Sequence, residues 1–187
     1  MAGPLLDNRR PTACLGRRDR VTSADSQTRL YVSGQPPAAL PGTGKASGNQ
    51  RWWETDYGAW RREAEREAMA RHFPAFNLCE MLDGTLCWVG WLRSGLDAER
   101  RYLIRVTYPD DFPDHPPAVV IESPELPGGM PHVLGPQRPC LFQPSHGPRN
   151  GYDPGKTTAA TFVAWTALWI HAFETWQATG HWPGRSE

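Results

Sequence analysis

Tyr108-Pro109-Asp110-Asp111-Phe112-Pro113-Asp114-His115-Pro116-Pro117 is the stretch that decides the fold of this chain. Its prolines fix φ and withhold backbone N–H groups, so a strand entering the segment must end there. Tyr108 and Phe112 are spaced to pin the resulting turn to the body of the domain. Immediately before it, residues 101–108 set Tyr102, Ile104 and Val106 against Arg101, Arg105 and Thr107, the alternation of a strand. Immediately after it, residues 118–122 read as another. Further upstream, residues 76–82 and 85–93 have strand character and enclose Asp83-Gly84, a strong hairpin signal between apolar runs.

Two helical patterns flank these strands. Trp53, Tyr57, Trp60, Ala64 and Ala68 recur at helical spacing, with charged residues elsewhere on the wheel, and Pro74 stops the pattern. This face is expected to pack inward. Residues 157–177 carry Phe162, Trp165, Trp169, Phe173 and Trp176 along one face, ended by Gly180 and Pro183. So aromatic a face is read as core. A helix, a three-stranded meander, a proline-rich turn, a fourth strand and a long final helix predict an α+β fold: a four-stranded antiparallel sheet with helices on one face. Residues 123–156, rich in proline and glycine, have no sustained period and are expected to be mostly loop, of the length that is usually functional or disordered.

The chain has 187 residues, which favours one domain, with 20 Lys+Arg balanced by 20 Asp+Glu. Residues 1–50 hold seven basic and three acidic side chains, +4; residues 51–187 therefore carry −4. A folded part without basic excess argues against a nucleic-acid partner. No run approaches the roughly 20 apolar residues of a membrane span, and Pro4-Leu5-Leu6 is too short for a signal-peptide core. The expectation is a cytoplasmic protein with neither membrane nor nucleic-acid contact. Residues 1–50 lack apolar periodicity and are rich in Gly, Pro, Ser and Arg, so they are expected to be a disordered tail preceding a domain over 51–187. Gly42-Thr43-Gly44-Lys45 fails as a phosphate loop, because it lacks the preceding strand, the upstream glycine and the following Ser or Thr.

Cysteines stand at 14, 79, 87 and 140, without the tight ligand pair of a structural zinc site, so no structural zinc is expected. Cys79 and Cys87 lie within strands beside apolar neighbours and read as core, and Cys14 lies in the tail. Cys140 stands in the Gly/Pro-rich loop, the setting in which function concentrates. Ser145-His146 near Asp153 has no nucleophile elbow and is discounted as a hydrolase triad.

The aromatic-Pro-x-x-aromatic-Pro-x-x-Pro-Pro pattern between third and fourth strands resembles the ubiquitin-conjugating enzyme family. Cys140 follows the fourth strand and a loop, His132 stands eight residues before it, and Tyr152-Asp153-Pro154 occupies the place of the family's Trp-x-Pro. The resemblance covers roughly 53–178. The closing sequence from Trp169 to Trp176, then Thr179-Gly180-His181-Trp182-Pro183-Gly184, looks like the bacterial branch found in antiphage operons, some alongside a cyclic-oligonucleotide synthase. The resemblance implies a thioester on Cys140, with His132 shaping the loop behind it and Tyr152 and Asp153 as a possible gate for an incoming amine; since the thioester already holds an activated carbonyl, it implies no metal and no cofactor. For Asp153, turn chemistry is the simpler role. It further implies that an activating enzyme docks on Arg61, Arg62 and Arg66 of the first helix and that Phe112 faces a partner; a solvated face of Glu–Arg pairs accounts for the arginines equally well. The carried group would be a ubiquitin-like protein or the C-terminal tail of an acceptor such as the synthase. Two departures stand out: His132-Val133-Leu134 replaces the family's His-Pro-Asn, removing the amide that would stabilise an oxyanion, and the usual further C-terminal helices have no counterpart. A catalytically inactive binding module on the same scaffold is the alternative reading.

Overall fold

The computed structural model describes residues 13–14, 51–97, 99–142 and 151–183. Apart from Ala13 and Cys14, the tail reading of 1–50 lies outside the described residues, as does Ser145-His146. The strands are β1 (Ala13–Cys14), β2 (Asn77–Glu80), β3 (Leu86–Arg93), β4 (Arg101–Thr107), β5 (Ala118–Ser123), β6 (Val133–Gly135) and β7 (Arg138–Pro139); the helices are α1 (Asp56–His72) and α2 (Ala159–Thr179). Strands β1 to β5 form one antiparallel sheet in chain order, and β6 and β7 form a small second one. The expected meander is thus β2–β5, with the two-residue β1 added at its edge opposite Cys79 and Glu80. Cys79 is disulfide-bonded, whereas Cys87 and Cys140 are free.

Turn chemistry closes the meander as the sequence foretells. Met81 and Thr85 pair across the Asp83-Gly84 turn at 2.9 Å, and Gly84 takes φ 78°, a setting that suits a residue without Cβ. Alternation along β4 sends Tyr102, Ile104 and Val106 fully into the core. The proline-rich turn is pinned by its own aromatics: Tyr108 and Phe112 are each 2 % exposed, with ring centroids 4.8 Å apart, and Trp52 packs on both. Phe112 therefore anchors the turn and presents no surface to a partner, correcting the second of its two expected roles.

α1 presents a face rotated by one residue from the expected one, with Ala64 and Ala68 at its half-buried margin. Tyr57 and Trp60 stand 39 % and 46 % exposed, while Gly58, Arg61, Glu65 and Met69 point inward. Trp53 belongs to a short 3-10 turn, Trp52–Glu54, that precedes the helix. Gly58 fits so closely beneath that turn that a Cβ would lie 1.5 Å from the Trp52 carbonyl oxygen. This contact fixes which side of α1 faces the domain, and the inward position three residues on falls to Arg61. Its burial is possible because it is paired: Arg61 lies 3.1 Å from Glu65 and donates to the Thr157 carbonyl at 2.5 Å. Apolar periodicity cannot register a stripe built from paired charges.

α2 matches its predicted face more closely, burying Phe162, Trp169 and Phe173 and half-burying Trp165 and Trp176. Gly180 caps it in the left-handed region at φ 75°. Both helices meet the sheet across one core. Two buried carboxylates join these layers. Glu65 accepts from Tyr108 Oη at 2.8 Å and from the Ala159 N–H, in the first turn of α2, at 2.6 Å. Glu174 accepts from Ser94 Oγ at 2.6 Å and Tyr102 Oη at 2.9 Å, tying the β3–β4 connection to α2. Among the described residues, no helix is long and apolar enough to cross a membrane.

Candidate active site

The eight-residue interval between His132 and Cys140 is the span of a hairpin. Strands β6 and β7 lie between them, and the Cys140 N–H donates to the His132 carbonyl at 2.9 Å, closing its open end. That same carbonyl accepts Trp169 Nε1–H from α2 at 2.9 Å. His132 holds this position at φ 57°, in the left-handed region uncommon for a residue with a side chain. The hairpin was hidden in the sequence because arms of three and two residues are too short to show a period.

A second left-handed residue fixes the hairpin to the sheet. Gln137, at φ 60°, accepts the Ile121 N–H on its backbone carbonyl at 2.9 Å. Its side-chain amide donates to the Ile121 and Pro124 carbonyls at 2.8 and 3.1 Å, and its oxygen accepts the Leu126 N–H at 2.6 Å. One polar side chain thereby satisfies three backbone groups of the β5 end and the loop after it, which sequence reasoning missed. The turn-forming pair Gly135-Pro136 is a signal that could have found it.

Cys140 is a free thiol of intermediate exposure, its Sγ 3.9 Å from the Phe142 carbonyl. It opens on a groove of about 230 Å³ walled by His132, Leu141, Trp165, Leu168, Trp169 and Trp182. A second depression, of about 210 Å³, lies along Pro139, Leu141 and Phe142 and reaches Pro117 and Arg138. The chain at Cys140 thus runs between two shallow, mostly apolar hollows. His132 is exposed, and its ring lies against Trp182 with centroids 4.6 Å apart.

Tyr152 and Asp153 line neither hollow. Tyr152 Oη donates to the Pro113 carbonyl at 2.5 Å, bracing the proline-rich turn, and burial raises its phenol pKa. Asp153 shapes the entry to α2: its Oδ1 accepts the Gly155 N–H at 2.9 Å and its carbonyl accepts those of Lys156 and Thr157. The turn role is the one whose contacts are visible. Of the three arginines expected on a docking face, Arg62 and Arg66 are exposed, but Arg61 is 2 % exposed and also lies over the Phe112 ring. Arg61 is corrected to an internal residue, because its charge is matched by Glu65 rather than by a partner.

A helix and a four-stranded meander backed by a long final helix, with a thiol at the mouth of a small hairpin, define a protein with a ubiquitin-conjugating-like fold. The chain belongs to the family described as Type II CBASS E2 protein, whose model matches residues 65–187, a span from the middle of α1 through Cys140 and α2. Among curated proteins and solved structures, nothing matches the chain. Membership gives it an E2-like role in antiphage defence, among partners of that pathway.

Proposed function

We propose that this chain carries a protein C-terminus as a thioester on Cys140 and passes it to an amine. The carried group is a ubiquitin-like protein or the C-terminal tail of an acceptor such as a cyclic-oligonucleotide synthase, delivered in activated form by an activating enzyme in the cytoplasm. The single observation that carries this reading is a free, partly exposed thiol held by its own backbone at the edge of an open groove. The thiolate attacks the activated carbonyl, an S–C bond forms and the activating group leaves. An amine then attacks the thioester carbonyl: a C–N bond forms, the C–S bond breaks, the sulfur leaves as thiolate and the amine's proton passes to solvent. In this reading His132 fixes the loop through its carbonyl, and the exposed Arg62 and Arg66 remain available to a docking partner.

The replacement of the family's Asn by Leu134, which is 66 % exposed, favours a second reading in which the domain only binds. Cysteine substitution separates the two. Mixed with the products of the neighbouring genes and ATP, the protein is expected to form a thiol-labile adduct. Cys140→Ser should convert it to a thiol-resistant ester, and Cys140→Ala should abolish both adduct and defence. Defence that persists in Cys140→Ala, with a stable complex, would establish the binding module instead.

A further inference from the structure

Beyond α2 the chain folds back onto the hairpin that bears Cys140. Gly180, in its left-handed conformation, donates its N–H to the Trp176 carbonyl at 2.7 Å. Thr179 Oγ1 then accepts the His181 N–H at 3.2 Å while donating to the Thr175 carbonyl at 2.8 Å. This tight turn delivers the Trp182 ring to two partners: the His132 ring, at 4.6 Å and an interplanar angle of 32°, and the Trp169 ring, at 5.7 Å and 58°. The two contacts converge. Trp169 is the residue whose Nε1–H reaches the His132 carbonyl, and that carbonyl is the acceptor for the Cys140 N–H.

His132 needs such support. A side-chain-bearing residue in the left-handed region reverts readily to extended or helical backbone unless its surroundings over-determine it. Reversion would swing its carbonyl away from Cys140. The His132 side chain is otherwise exposed, and the tilted contact with Trp182 constrains its ring.

We propose that Trp182 is a positioning residue for Cys140, acting through the His132 ring to hold the left-handed backbone that places the thiol at the groove. The proposal deepens the acyl-carrying reading and rests on it for its purpose, while the clamp itself is measurable without any adduct. Trp182 also walls the groove, so its loss has opposite effects on two readouts. Trp182→Ala is expected to raise iodoacetamide alkylation of Cys140 several-fold, by peptide mapping, because a wall is removed and the loop is freed. It should lower adduct yield about tenfold, the upper end of what an aromatic pair contributes. Trp182→Phe, which keeps a ring face, should restore both within about twofold, well inside the span of such a contact. His132→Ala should reproduce the part of the alkylation change that comes from the freed loop, and the double variant should not exceed Trp182→Ala.

Cys87, buried in the sheet, reports unfolding. If it too becomes alkylated in Trp182→Ala, then Trp182→Leu, which keeps the apolar bulk, takes its place in the same comparison with Phe. Unchanged Cys140 alkylation, a Phe variant no better than Ala or Leu, or additive effects of the two sites would overturn the clamp. Should the unsubstituted protein form no adduct while alkylation still couples Trp182 to His132, the acyl-carrying reading fails and the clamp stands.

Discussion

Replacing Glu65 by alanine tests whether a buried carboxylate joins the layers of this domain. The residue is 1 % exposed, 3.1 Å from an Arg61 that is 2 % exposed, and accepts from Tyr108 and the Ala159 N–H. Removing it leaves a buried guanidinium without its counter-charge, which costs about 3–5 kcal/mol. It also orphans the Ala159 N–H, adding about 1–3 kcal/mol. Tyr108 Oη keeps Trp88 Nε1 as a donor at 2.9 Å and adds less. The sum is on the order of 5 kcal/mol, enough to bring a domain of ordinary stability close to unfolding. Glu65→Gln retains an acceptor for the backbone N–H but not the counter-charge, so it should recover only about 1–3 kcal/mol of that loss. Urea denaturation measures both, and a slope of ~2 kcal/mol per molar puts the alanine midpoint about 2.5 M lower. A loss below ~1 kcal/mol for alanine would refute the reasoning, since it would mean the network is idle. Acid supplies a second arm. Burial outweighs the Arg61 charge and the hydrogen bonds, so the Glu65 pKa is raised above 4.5. A raised pKa contributes stability that is complete below the unfolded value and is lost as pH rises through the folded one. Glu65→Gln should remove that part of the pH dependence.

Alkali should weaken the fold by the same logic. Burial raises the Cys87 thiol from 9.0 to about 11, so its contribution is complete below pH 9 and about 2 kcal/mol is lost by pH 11. The buried phenols of Tyr102 and Tyr108, also raised, add to the loss above pH 10; guanidinium midpoints unchanged between about pH 8 and pH 10.5 would contradict this. Gln137→Ala should cost about 2–3 kcal/mol through three lost hydrogen bonds. Gln137→Gly should cost about 1 kcal/mol less because it relieves the left-handed backbone; an alanine variant as stable as the glycine one would show that the φ of 60° is not a constraint.

What the sequence made legible and what it hid divide along physical lines. Alternation in residues 101–107, the Asp83-Gly84 turn and the aromatic run of α2 each rest on apolar burial or turn chemistry, and each appears where expected. The buried face of α1 was misread because Arg61 and Glu65 neutralise one another, and a pattern of apolar residues is blind to such pairs. Phe112 showed its anchoring role through its spacing from Tyr108, yet nothing in the sequence told that burial would leave it no partner face. At the site, the order of His132 and Cys140 was visible. Their hydrogen bond was not, because it depends on a left-handed backbone and on Trp169 and Trp182, some 30 to 50 residues away in the chain.

The most direct test is the intact mass of the protein after incubation with the neighbouring genes' products and ATP. The account predicts one added species, heavier by the mass of the carried protein less one water, cleaved by hydroxylamine and mapped to Cys140. An unshifted mass with every partner present, or an adduct attached at another residue, would contradict it.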